Sequence, residues 1–115
     1  MSSSPTKHLF FVYAPDYAGP GRLDHRFSVR GKHLKGVDGL LEGGIMKFGG
    51  AFLAPELTDE RGRKKMMGSV VFYEAESIEE VRKVVESDPY FTDGVWDKEK
   101  LVIHPFVPAM HWPST

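Results

Sequence analysis

A chain of 115 residues has room for one domain and not for two, and 41% hydrophobic with 27% charged residues excludes wholesale disorder. The formal charge of −1 supplies no basic excess to hold a phosphate backbone, so a nucleic-acid partner is not expected. Cysteine is absent, which excludes disulfides, thiolate nucleophiles and cysteine-based metal sites, and no apolar run approaches the ~20 residues that span a bilayer.

Residues 1–7 are polar and lack the apolar centre and cleavage pattern of a secretory signal, so they read as a disordered tail on a soluble, cytoplasmic protein without a membrane partner. Residues 8–14 (HLFFVYA) are short, aromatic and closed by Pro15, the signature of a strand. Glycine and proline punctuate 16–21. From Arg22 to Glu42 the period becomes helical, with Leu23, Phe27, Leu34, Val37 and Leu41 three, four or seven apart, until Gly43-Gly44 ends it. Residues 45–53 read as a second strand, with Gly49-Gly50 marking a bulge or a close backbone approach.

Residues 54–65 read as a polar connection, and the basic run Arg61, Arg63, Lys64 and Lys65 as a solvated hairpin tip diluted by Asp59 and Glu60. Residues 66–75 (MMGSVVFYEA) form a third strand. Ser77 and Glu80 make a capping box ahead of the stripe Ile78, Val81, Val84 and Val85. Pro89 stops that helix, 89–94 is a turn or short helical loop, and 100–107 (KLVIHPFV) is the last strand. Residues 108–115 form a C-terminal tail.

The order βαββαβ is that of a ferredoxin-like α+β fold, with strands arranged 4-1-3-2 in one antiparallel sheet. Pro105 in the fourth strand and Gly49-Gly50 in the second suit the two edges. Both helices cover one face, so the other should be polar if it meets water. It is not: Leu9, Phe11 and Tyr13 point one way and Phe10 and Val12 the other, and the third and fourth strands repeat the pattern. A homodimer pairing two such faces is the expectation.

Counting ~100° per residue around the first helix, its apolar arc runs from Phe27 through Leu34, Leu23 and Leu41 to Val37 and Leu40, and both Arg30 and His33 fall inside it. A histidine there is more often a satisfied core residue than a catalyst, and an arginine often only snorkels. Asp88 continues the stripe Ile78, Val81 and Val85, so the second helix points it inward; the bland alternative is a turn residue accepting backbone N–H groups before Pro89. Taken together they mean more. Antiparallel helices can bring Asp88 to His33, giving an oriented general base, while Arg30 one turn earlier could hold a substrate oxygen.

Tyr90 and Phe91 could wall a pocket, although packing is the commoner role for aromatic residues. His8, His25, His104 and His111 lack metal-ligand spacing, so no metal is expected. The glycine-rich stretches do not match a nucleotide loop in its strand-to-helix setting, and the serines lack a nucleophile elbow.

Arg30-x-x-His33-Leu34, Gly49-Gly50, Gly68-Ser69, the run 74–77 (EAES), Asp88-Pro89-Tyr90 and Ile103-x-Pro105-Phe106 together resemble the YciI family, the YCII-related domain, over residues 8–107. The resemblance implies a dimeric α+β barrel whose active site uses a histidine and an aspartate, which fall on His33 and Asp88, without a cofactor. One branch resembles a dehydrochlorinase of a chlorinated hydroxyhydroquinone, and related barrels include muconolactone isomerases and cofactor-free monooxygenases. This chain has Gly50-Ala51 where members often carry Gly-Pro, and 16–21 and 108–115, with Trp112, find no match.

The expectation is therefore a small enzyme moving a proton on a small aromatic or enolisable ligand. His33 and Asp88 would serve as the catalytic pair, and Arg30, Ser69 and Tyr90 would contact substrate. A non-catalytic ligand-binding module and a purely structural dimerisation domain are the alternatives.

Overall fold

A computed structural model describes residues 6–110. The elements run β1 (His8–Pro15), α1 (Arg22–Glu42), β2 (Met46–Thr58), β3 (Lys64–Ala75), α2 (Ile78–Ser87), α3 (Pro89–Thr92) and β4 (Val102–Phe106). The four strands form one sheet in the order β2-β3-β1-β4, every neighbouring pair antiparallel. This is the α+β arrangement expected from the element order, with β2 and β4 at the edges. Residues 1–5 and 111–115, which hold most of both tails and Trp112, lie outside the described residues.

Strand alternation decides which face is covered. Phe10, Val12 and Ala14 of β1 pair in register with Tyr73, Val71 and Ser69 of β3 and point at the helices. They meet Val29 of α1, Val81 and Val85 of α2, and Tyr90, Val95 and Trp96 from the segment after α2 in one continuous core. The opposite face carries Phe11, Phe72 and Phe106 as a ring cluster, with centroids 4.9 to 6.3 Å apart, and Tyr13 stacked on Phe52 at 5.3 Å.

Helix ends follow local chemistry. Gly44 turns left-handed (φ 74°) after α1, and the N–H groups of Gly43, Gly44 and Ile45 return to the carbonyls of Gly39, Leu41 and Leu40. Gly31, Gly36 and Gly39 face open space without breaking the helix, since a packed stripe rather than propensity holds it. Ser77 Oγ accepts from Glu80 N at 3.3 Å, while the Glu80 carboxylate takes the Glu76 N–H at 3.1 Å, one residue earlier than a strict capping box.

The second hairpin departs from the sequence reading. β2 continues past residue 53 to Thr58, and β3 begins at Lys64, so 54–65 is an extended two-stranded arm rather than a connection. Main-chain pairing, which is blind to polarity, carries the ladder as far as Thr58 opposite Lys64. The register slips between Met46 and Phe48, just before Gly49, and again on either side of Leu53. A Cβ on Gly68 would lie 2.6 Å from the Ala14 carbonyl oxygen, so only glycine lets β3 run this close to β1.

The arm's tip is not merely solvated. Arg63 bonds Asp24 in the first turn of α1 at 2.6 Å and Asp59 at 2.8 Å, and its guanidinium lies 5.4 Å over the Phe27 ring. Hydrogen bonds from Arg63 hold both carboxyls below the ordinary range, through its side chain at Asp24 and chiefly its backbone N–H at Asp59.

Candidate functional site

The sheltered side of α1 meets β2 and β3 around a cavity of about 240 Å³. Arg26, Arg30, His33, Leu34 and Val37 line it from α1, Met46 and Gly49 to Ala51 from β2, Met66, Ser69 and Val71 from β3, and Tyr90 from α3. Small residues at Gly49, Gly50 and Ala51 leave room where bulkier side chains would fill it. Glycine at 50 has open space beside it.

His33 and Asp88 meet. His33 Nδ1 lies 2.8 and 3.0 Å from the two Asp88 carboxylate oxygens, with side chains only 13% and 4% exposed. A carboxylate can only accept, so Nδ1 carries the proton and Nε2 is the lone-pair nitrogen of the neutral ring. Nε2 has no hydrogen-bond partner among the described residues. Asp88 does not line the cavity; it stands behind the imidazole.

Asp88 is buried, but α2 ends at Ser87 and Asp88 is extended, so the turn reading and not the helical stripe describes it. Its Oδ1 also accepts the Tyr90 N–H at 2.8 Å, capping α3 with Pro89 in the first turn. That turn delivers the Tyr90 ring, which stacks on His33 with centroids 3.9 Å apart and planes 13° from parallel. On the same helix, seven residues and ~10.5 Å of rise from His33, Arg26 places its guanidinium carbon 4.5 Å from the Tyr90 centroid. The phenol is thus held between an imidazole and a cation. Burial pushes the Tyr90 hydroxyl up, with Arg26 and Arg30 pulling the other way.

Arg26 is the residue that the helical arc contained and the sequence reading passed over. It is 3% exposed and pairs through Nη1 with both oxygens of Asp16, at 2.8 and 3.0 Å. Burial pushes the Asp16 carboxyl up against the opposing pull of Arg26. Nη2 of Arg26 donates to Ser69 Oγ at 2.9 Å, and Trp96 Nε1 donates to the same oxygen at 3.2 Å. The signal was present: an arginine central to a buried stripe needs a carboxylate, and Asp16 directly follows β1. Trp96 bridges to Asp16 through the backbone, a long-range pairing with no local signature.

Other expected residues sit as follows. Arg30 is exposed at the cavity rim and has no hydrogen bond or ion pair among the described residues. Of the apolar arc, Leu34 and Leu41 are 39% and 49% exposed; the helix buries Leu23, Arg26 and Val29, with His33 half-buried. Tyr73 keeps a buried hydroxyl with no partner among the described residues, pushed above its ordinary range by burial and the Asp88 charge. Among the described residues, no three histidine, cysteine, aspartate or glutamate side chains gather as a metal site. No helix among them is long and apolar enough to cross a membrane.

A four-stranded sheet backed by helices, with a carboxylate-held histidine beside a small cavity, defines an α+β domain with one candidate site on its helical face. The chain belongs to the YCII-related domain family, whose profile matches residues 9–106. It is 34% identical to protein YciI of Escherichia coli O6:H1, over 85% of this chain and 95% of that protein. It is 33% identical to the aspartate kinase FUB3 of Fusarium oxysporum f. sp. lycopersici over 84% of its own length, spanning only 17% of that protein. Among solved structures, the 5-chloro-2-hydroxyhydroquinone dehydrochlorinase TftG of Burkholderia phenoliruptrix, bound to 2,5-dihydroxybenzoquinone, superposes with a TM-score of 0.70 at 31% identity. That match covers 86% of this chain and 93% of TftG.

Proposed function

We propose that this chain is a small enzyme that removes a proton from a hydroxylated ring or an enolisable ligand, using His33 as the base. The observation that carries the reading is the His33–Asp88 contact at 2.8 Å on the wall of a cavity sized for one ring. A void of about 150 Å³ suffices for benzene, so about 240 Å³ takes a ring with a few substituents. Nε2 accepts the substrate proton, and Asp88 orients the imidazole and stabilises the imidazolium that forms. Arg30 and Ser69 meet substrate oxygens, and Tyr90 forms one wall and fixes the tilt of the base. For a halogenated hydroxyquinol, the likeness to TftG suggests an elimination from the keto tautomer: one hydroxyl proton first moves to the chlorine-bearing carbon, a second hydroxyl proton passes to Nε2, its electron pair shifts through the ring, and chloride departs with the electrons of its broken bond, leaving a hydroxyquinone.

The test is chloride release from a panel of chlorinated hydroxyhydroquinones under anaerobic conditions. His33→Ala is expected to lower turnover by roughly 10²–10⁴-fold. Undiminished turnover in the folded variant would remove the proposal. A panel compound that raises the melting temperature yet returns unaltered would instead favour a binding module.

We further propose that the enzyme is a homodimer closed through the open sheet face. The aromatic cluster of Phe11, Phe72 and Phe106 paves a surface that water would otherwise wet. Sedimentation equilibrium should give twice the chain mass, and Phe11→Asp should shift it to the monomer. A monomeric wild type at micromolar concentration contradicts this. A chain without cysteine suits a reducing compartment, and we place the enzyme in the cytoplasm.

A further inference from the structure

Ser69 Oγ has two lone pairs and one proton. A guanidinium and an indole N–H cannot accept, so the bonds from Arg26 at 2.9 Å and Trp96 at 3.2 Å occupy both lone pairs. The hydroxyl proton has no acceptor among the described residues, although Ser69 is 3% exposed and lines the cavity. Arg26 itself is locked by Asp16 and keeps its Nε–H buried without a partner among the described residues. A buried donor set with an unspent proton and an unmet N–H calls for a visiting acceptor, and the Arg26 charge beside it favours an anionic oxygen in that role.

We propose that Ser69 is the cavity's oxyanion donor, and that the site selects ligands presenting a phenolate or enolate oxygen to it. This rests on the reading of the cavity as the substrate site. The step is a proton transfer only. The substrate C–H or O–H bond breaks and its proton goes to His33 Nε2. The electron pair collects on the substrate oxygen, and that oxygen receives the Ser69 hydrogen bond while the serine keeps its proton. Asp16, Arg26 and Trp96 are positioning residues: they leave the hydroxyl one direction in which to donate, and the Arg26 charge strengthens it as a donor.

4-Nitrophenol, whose anion is coloured, is the probe, and 4-nitrotoluene is its neutral counterpart. Wild type is expected to bind the phenolate more tightly than the phenol. Ser69→Ala should weaken phenolate binding by roughly tenfold to hundredfold and leave 4-nitrotoluene unchanged. Ser69→Cys, which keeps the shape with a weak donor, should fall between them and covers the case in which alanine fails to fold. His33→Ala should retain the phenolate preference.

The proposal is overturned by a wild type that binds no 4-nitrophenol or prefers the phenol, and by folded Ser69 variants that bind phenolate as wild type does. A preference that vanishes in His33→Ala or Arg30→Met but not in the Ser69 variants also overturns it. Failure here with turnover still lost in His33→Ala leaves the proton-transfer reading standing, whereas Ser69-dependent binding with normal His33→Ala turnover removes that reading alone.

Discussion

Asp88→Asn is expected to reduce turnover by roughly 10²–10⁴-fold while leaving KM almost unchanged. The asparagine oxygen can stay at the Oδ1 position, where it continues to accept from Tyr90 N and cap α3. Its amide then replaces the oxygen that lay 3.0 Å from His33 Nδ1. The amide N–H group there competes for Nδ1 with the oxygen kept 2.8 Å away, and it can bond only a bare Nδ1, a tautomer that puts the ring proton on Nε2, the wrong nitrogen for a base. The imidazolium also loses its counter-charge. Because Asp88 does not touch the cavity, ground-state binding has no reason to change. Steady-state kinetics on the best panel substrate check this; equal losses in kcat and gains in KM would mean that Asp88 shapes the cavity instead.

The largest effect on stability is expected at Arg26. Arg26→Leu leaves the Asp16 carboxylate buried without its partner, with a loss of about 3–5 kcal/mol, or ~15 °C or more in Tm for a domain of this size. It also strands Trp96 Nε1 on a serine with one fewer neighbour and removes the cation beside Tyr90. Asp16→Leu should be about as damaging, because it leaves a buried guanidinium. The double variant should lose far less than the two singles together, since apolar replacement of a whole buried pair is often neutral. Urea unfolding of the four proteins closes the cycle, and additive losses would show that the two charges do not depend on each other.

The sheet was legible because its information is local. Alternation in 8–14 assigns Phe10 and Val12 to one face and Phe11 to the other, and the same arithmetic works for β3. Ser77 and Pro89 bracket α2 by side-chain chemistry that needs nothing distant. The end of β2 beyond residue 53 was illegible for the converse reason: its residues alternate poorly, and its continuation rests on the distant pairing of Thr58 with Lys64. Leu57, at φ 71°, shows how little that stretch follows side-chain preference.

The site divides in the same way. His33 and Asp88 stood out because each is an ionisable residue where the sequence count continues an apolar stripe. Arg26 held an equally central position but was not singled out, and its partner lies before the helix, in a segment dominated by turn signals. Ser69 was visible as a polar residue in a strand, but what it donates to is set by Arg26 and Trp96, 43 and 27 residues away. Satisfied valences cannot be counted until the chain has folded.

One oxygen of Asp88 both begins the turn that carries Tyr90 and grips the imidazole that rests on that ring. A glutamate, one methylene longer, could serve either task but would have to abandon the other. The architecture alone therefore favours aspartate at this position, and the proposed reaction would favour it a second time, so a protein of this fold without the chemistry would still have reason to keep it.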